Sequence, residues 1–428
     1  MASVFNKIFS KELLKSGYYS FIFAFLSVVI LAIHVQYLPP LLILWCLCWI
    51  IENSGRYNLI WSKSAKYKWL FFLFLAYYLW QLVSLIYTND IEKGLSNLFG
   101  RLSLILFPFL LVCSGETIKK KSVFLIRVFA ISTFIYLFFS FSYAFYQSLE
   151  PGKGVLSFNP NPPEHPWLNY FYSAELTISQ HPSYISMYVM LSTFICFESW
   201  FDYSLEFKKR FFWLILGILL LVSQYFISSR TGIFLGLVMV PLYFIFRFRN
   251  YKKKWKVWLV SIILIICVFP VIINNQRVDY LFGKIFEKQV GYERKDDPRL
   301  QIWESTINLV KQNLVFGLGI GDARNELAKE YDRIGEEQMA KEKLNTHNQF
   351  LEVLLETGII GLVIIMAIFF SMLKIAVSEK NLLLGLFIMI IFVFFQFETM
   401  LYRLAGVTFF SLFSFLLLYL PKRNTDNS

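Results

Sequence analysis

Of the 428 residues, 57% are hydrophobic and only 16% are charged, and the mean hydropathy is +0.55. A soluble domain carries roughly a quarter of its residues charged, so a soluble globular fold is excluded. The expected class is all-α and polytopic, because a chain in lipid must satisfy its own backbone hydrogen bonds. The formal net charge of +12 follows from membrane orientation, as the loops show below, and gives no argument for nucleic acid as a partner.

Lysines precede the first apolar run within Met1 to Lys15, with no small-residue cleavage site after them. This reads as a retained span rather than a removed signal peptide. Twelve spans are predicted, at 18–37, 39–51, 69–88, 99–114, 123–147, 183–201, 211–227, 231–247, 256–273, 351–373, 381–397 and 404–420. Most are long enough to cross roughly 30 Å of hydrocarbon, while the second and fourth are short or carry Pro39, Pro40 and Pro108. Three regions follow: 1–273 with nine spans and a loop at 148–182, a helical loop domain at 274–350 carrying the motifs, and 351–428 with the last three spans and a tail. Tyr18, Trp61, Trp69, Trp200, Trp213 and Trp255 lie near run ends, as an interfacial aromatic belt does. Cys46, Cys48, Cys113, Cys196 and Cys267 all fall inside apolar runs and read as small buried hydrophobes.

With the N-terminus inside, the inner connections hold 24 basic residues and the short outer ones five, namely Lys93, Arg101, Lys153, Arg230 and Arg403. This bias puts both termini in the cytoplasm and both long loops, 148–182 and 274–350, outside. The longer loop is close to neutral, with twelve basic and thirteen acidic residues. Pro151, Pro160, Pro162, Pro163 and Pro166 make the loop at 148–182 irregular. In the second loop, Pro298 suits the first turn of a helix, and Ile302, Trp303, Thr306, Leu309 and Val310 recur at helical spacing. Arg299 and Trp303 then share a face. Gly317, Gly319 and Gly321 break that helix, and Asp322 can cap a second one running to about Arg333.

Five side chains are candidates for chemistry. Arg230, in Ser228-Ser229-Arg230-Thr231-Gly232, either snorkels to headgroups or faces a site within the bundle. Arg299 is either a solvated charge or a fork for phosphate oxygens. His347, in Thr346-His347-Asn348, can take a proton near neutral pH or merely start a helix. Asn348 can orient that imidazole or a substrate hydroxyl, and His181, at the mouth of a span, is a weaker helper. The glycine turn resembles a phosphate cradle only by composition. With no strand before it, it reads better as a tight turn that lets backbones approach. Glu352 and Glu356 suit a helix N-terminus electrostatically. No histidine pair falls at metal-ligand spacing, so no metal is expected.

The order of these motifs resembles the O-antigen ligase family of bacterial membrane proteins, which also includes O-antigen polymerases and protein O-oligosaccharyltransferases. The resemblance rests on Arg299-Leu300-Gln301-Ile302-Trp303, on Asn313 to Gly321, on His347-Asn348-Gln349-Phe350-Leu351-Glu352, and on Glu356-Thr357-Gly358-Ile359-Ile360-Gly361-Leu362, with Ser229-Arg230-Thr231-Gly232 ahead of the eighth span. The chain departs from the family where Leu314 and Ile320 stand in place of prolines. The resemblance implies transfer of a glycan from undecaprenyl diphosphate to a hydroxyl of lipid A-core, at the periplasmic face of the inner membrane. It implies inversion at the sugar, no cofactor and no metal. Arg230 and Arg299 map onto the family's diphosphate-binding arginines and His347 onto its catalytic histidine, all three expected in one cleft. Extension of a lipid-linked glycan, or glycosylation of a protein hydroxyl, fits the same motifs. A lipid-linked saccharide transporter is the reading from another class, disfavoured by the lack of an internal repeat.

Overall fold

The computed structural model describes residues 17–53, 67–113, 116–151, 156–178, 180–248 and 298–421. The N-terminal lysines, the predicted span at 256–273, the first part of the second loop and the tail from 422 lie outside the described residues. The helices up to the first loop are α1 (Tyr18–Ile33), α2 (Leu38–Glu52), α3 (Lys68–Val83), α4 (Ile91–Gly100), α5 (Ser103–Val112), α6 (Glu116–Lys120) and α7 (Ser122–Gln147). After the strands β1 (Leu149–Pro151) and β2 (Leu156–Phe158) come α8 (Ser173–Leu176), α9 (Pro182–Trp200), α10 (Phe207–Ile227) and α11 (Arg230–Arg247). The chain continues with α12 (Pro298–Gln312), α13 (Ala323–Arg333), α14 (Glu337–Glu342), α15 (Gln349–Ser378), α16 (Leu382–Phe397) and α17 (Leu404–Leu416).

Seven helical stretches among the described residues are long and apolar enough to cross a membrane, and three shorter apolar helices accompany them. The fold is therefore the all-α, polytopic one expected. The loop at 148–182 is not wholly irregular: β1 and β2 pair antiparallel, with Pro151 opposite Leu156 at one end of the ribbon. A proline is tolerated there because no ladder bond beyond it needs its missing N–H. The predicted fourth span is interrupted, since α4 stops at Gly100 and α5 starts at Ser103, with Arg101 between them.

The chain forms two compact units, residues 1–129 with 297–428, and residues 130–296. In the second, α9 packs along α10, and all of α9 but Glu198 and Trp200 is buried. Gly232 lets α11 close on both helices, because a Cβ there would overlap the Ser186 side chain and meet Gln224. Ser186 and Gln224 are themselves paired, with Ser186 Oγ donating to Gln224 Oε1 (2.7 Å) and Gln224 Nε2 to the Ser186 carbonyl (2.8 Å).

The first unit has a phenylalanine-rich core in which α17 lies against α5 and α3 against α15. Phe129 and Phe413 meet edge to face at 4.6 Å, the arrangement that the ring quadrupole favours. Over the start of α15 sits a small helical cap. Its core is Ile302, Leu309 and Val310 of α12, Leu327 and Tyr331 of α13, and Met339 of α14, closed by Leu355 of α15. The sequence pattern predicted two cap helices; the short α14 is the third.

One feature governs this unit. Helix α15 runs unbroken by hydropathy, yet Gly358 has φ 65° and ψ −166°, a region open essentially to glycine alone. Carbonyls that the next turn would have covered are covered by other segments. Leu318 N donates to Leu355 O (2.8 Å), Gly319 N to Glu356 O (3.0 Å) and Trp80 Nε1 to Thr357 O (2.9 Å), while Ile359 N turns away to Leu314 O (2.8 Å). A helix can break within an apolar protein only if every freed group finds such a partner. The glycine turn supplies them because Gly317 presents no Cβ to the Thr357 and Gly358 backbone, and Gly358 none to Val315. Gly358→Ala meets both a forbidden backbone geometry and a backbone clash. The thermal midpoint of the detergent-purified protein is expected to report a loss of about 3 kcal/mol or more. Gly385→Ala, where an added methyl meets nothing within 4 Å, serves as the control and is expected to match or slightly exceed the parent.

Candidate active site

The glycine turn is not a phosphate cradle. Four of its successive N–H groups are committed within the protein: Gly317 N to Asn313 O (2.9 Å), Leu318 N and Gly319 N to α15 as above, and Ile320 N to Ser84 Oγ (3.3 Å). The segment before α4 and α4 itself clasp the turn from the other side. Asn89 N and Asp90 N donate to the two oxygens of Asp322 (2.7 and 2.9 Å), and Asn97 Nδ2 to Ile320 O (2.9 Å). Asp322 thus stands at the start of α13 without capping it; its carboxylate fastens the turn to the α3–α4 connection instead.

This scaffold holds the segment that carries His347. Trp303 Nε1 donates to Thr346 O (3.0 Å), so the helix face that bears Arg299 one turn earlier is pinned to the residue before His347. Glu352, buried on the first turns of α15, lies 2.8 Å from the Thr346 hydroxyl. His347 N donates to Asn345 Oδ1 (2.8 Å), and the residue is held at φ 47°, a left-handed conformation uncommon outside glycine. Strain of this kind persists where surrounding bonds over-determine it, and it concentrates at functional sites. The imidazole itself is 30% exposed. Its Nδ1 is turned inward, buried and without a hydrogen-bond partner, 3.7 Å from Glu398 Oε2.

Asn348 is committed elsewhere. Its Oδ1 caps α15 by accepting from Phe350 N (2.9 Å) and Leu351 N (3.1 Å), and its Nδ2 donates to Gln396 O (3.2 Å). The side-chain oxygen, the acceptor that could orient an imidazole N–H, is thus taken by the helix cap.

Two neighbours carry charge that sequence reasoning passed over. Arg324, on the first turn of α13, lies flat over the Tyr402 ring at 3.5 Å, with its Nε 3.9 Å from Glu352 Oε1. Its Nε and Nη2 are buried without hydrogen-bond partners. Deeper in, Arg101 is 1% exposed and grips Glu356 with two parallel bonds of 2.6 Å, while its Nη1 also donates to Gln81 Oε1 (3.0 Å). Glu356 is thus one half of a buried ion pair as well as a charge near a helix start. Farther out on α13, the Arg333 guanidinium bonded to Glu330 holds that carboxyl below its ordinary value.

Arg230 and His181 belong to the second unit. Arg230 opens α11 and is exposed; Ser229 before it caps that helix, accepting from Gly232 N (3.4 Å). His181 is exposed and caps α9, with Nδ1 accepting from Ser183 N (3.3 Å). Arg299, in the first turn of α12, is partly buried.

Residues 214–366 match the family model described as O-antigen ligase, a stretch that includes Arg230, Arg299 and His347. The chain is also similar to an uncharacterized protein of Haemophilus influenzae, at 24% identity over 356 residues and 80% of each chain.

Proposed function

We propose that this membrane protein of the O-antigen ligase family is a glycosyltransferase that moves a glycan from undecaprenyl diphosphate to a lipid A-core hydroxyl at the periplasmic face of the inner membrane. The observation that carries the reading is His347, a partly exposed imidazole on a strained backbone that every neighbouring segment ties in place. A group held this way loses little freedom on reaching its reactive geometry.

In this mechanism the outward Nε2 of His347 accepts the proton of the acceptor hydroxyl. The acceptor oxygen bonds to the anomeric carbon as the bond from that carbon to the diphosphate oxygen breaks, and the electron pair departs with the diphosphate. Attack opposite the leaving group inverts the centre. Arg299 and Arg230 bind the diphosphate and meet the charge that grows on it, the largest single contribution in many enzymes.

Arg299→Lys and Arg230→Lys keep one positive charge but lose the fork that matches phosphate oxygens. Each is expected to lower transfer by roughly 10-fold or more, the loss of about 1.4 kcal/mol from the transition state. Purified protein given lipid-linked repeat units and lipid A-core is the assay. Wild-type rates in both lysine variants would leave these arginines as ordinary surface cations. In the same assay, strict dependence on lipid A-core marks a ligase, whereas lengthening of the lipid-linked glycan without it marks a polymerase.

A further inference from the structure

We propose that Glu398 is the positioning residue for His347: its carboxylate accepts a hydrogen bond from Nδ1–H, so that the proton stays on Nδ1 and Nε2 is left as the basic nitrogen facing substrate. This deepens, and rests on, the base role given to His347 above. Asn348, the residue that adjacency in sequence suggested for this task, is spent on capping α15.

Glu398 follows the last residue of α16 in extended backbone, with φ −149° and ψ 148°. Among the described residues it is the carboxylate within ion-pair reach of His347, with Oε2 3.7 Å from Nδ1. The pair is bracketed by two ties between the same segments. Gln396 O accepts from Asn348 Nδ2 (3.2 Å) on one side, and Leu401 N donates to Gln349 Oε1 (2.6 Å) on the other. Residues 396–401 and 347–349 are therefore tied together on both sides of the pair, which keeps the Glu398 backbone beside His347.

The inward nitrogen is also the shielded one: Nδ1 is buried and lacks a bond, while the ring as a whole is 30% exposed. At 3.7 Å the pair is wider than a formed hydrogen bond, and catalytic hydrogen bonds are often long in the free enzyme and tighten on substrate. Of the charged groups on the adjoining helices, Glu352 takes the Thr346 hydroxyl and Arg324 stacks on Tyr402. When Nε2 takes the hydroxyl proton, the imidazolium carries N–H on both nitrogens and Nδ1–H points at the carboxylate. Loss of the Nε2 proton to water restores the starting tautomer, and Glu398 stays ionised throughout.

The test uses full-length protein in nanodiscs with nitrogen-15-labelled histidine, the His347 signals being assigned by their loss in His347→Asn. The expected result is protonated Nδ1 and bare Nε2 in the parent and in Glu398→Gln, whose amide oxygen still accepts, and a switch towards protonated Nε2 in Glu398→Leu. With lipid-linked glycan as donor, Glu398→Gln is expected to lower kcat by roughly 10- to 100-fold with the donor KM unchanged, Glu398→Leu to lower it further, and Glu398→Asp to recover part of the loss. A parental tautomer in Glu398→Leu, or parental kcat in both Glu398→Gln and Glu398→Leu, overturns the proposal. Should Glu398→Leu fail to fold, the kcat and KM of Glu398→Gln and the recovery in Glu398→Asp decide it. The tautomer needs no turnover, so wild-type protein inactive on every lipid-linked glycan refutes the transferase reading while the pairing is still judged by the spectrum.

Discussion

His347→Ala is expected to lower transfer to a residual rate roughly 10²–10⁴ below the parent, in a protein that elutes and melts as the parent does. The structure explains why folding is spared. The ring makes no hydrogen bond through Nδ1, and the segment is held by Trp303 on Thr346 O, Asn345 on the His347 N–H, and the Asn348 cap, none of which the substitution removes. The α-helical signal by circular dichroism and the thermal midpoint in detergent check the fold, and release of lipid diphosphate checks the chemistry. The left-handed φ of 47° gives a further expectation. His347→Gly, which relaxes that backbone, is as inactive as His347→Ala and at least as stable. Near-parental transfer by His347→Ala removes the base assignment.

The largest stability effect is expected at Arg101 and Glu356. Taking either partner away leaves its mate charged and almost fully buried, a change that costs about 3–5 kcal/mol in buried pairs. Arg101→Met and Glu356→Met are each expected to lower the thermal midpoint steeply, or to prevent recovery of folded protein. The double variant, with two apolar side chains of similar length, is expected to regain most of that loss because no uncompensated charge remains. A double-mutant cycle that comes out additive shows instead that each side chain acts independently.

The class of fold was legible because hydropathy accumulates over some 20 residues per span, so no single residue decides it. The start of α12 at Pro298, its apolar face, and the packing use of the glycine turn were legible for a similar reason, since each is a local rule of backbone geometry. What was hidden depends on partners distant in sequence. Arg101 reads as a cation at the edge of an apolar run, and only Glu356, 255 positions later, turns it into the anchor of the unit. Asp322 has the composition and position of a cap, yet it serves the backbone of Asn89 and Asp90. Gly358 sits in a run whose hydropathy signals an unbroken helix, and its break follows from the backbone of residues 314–319 lying against it. Within the candidate site, His347 stood out as a titratable group among few histidines. Asn348 carried a helix-start signal as strong as its catalytic one, and the structure realises the helix start. Glu398 lies 51 positions past His347, at the end of an apolar run where an acidic residue looks ordinary.

The distance along the chain between Arg101 and Glu356 has a consequence for how the molecule is made. Ribosomes add roughly 5–20 residues each second, so the guanidinium emerges on the order of 10–50 s before the carboxylate that will neutralise it. Over that interval a newborn α4–α5 segment holds Arg101 without its carboxylate, and the most favourable resting place for the guanidinium is the water at the bilayer edge. Its final burial is therefore a late event of biogenesis, coupled to the arrival of α15.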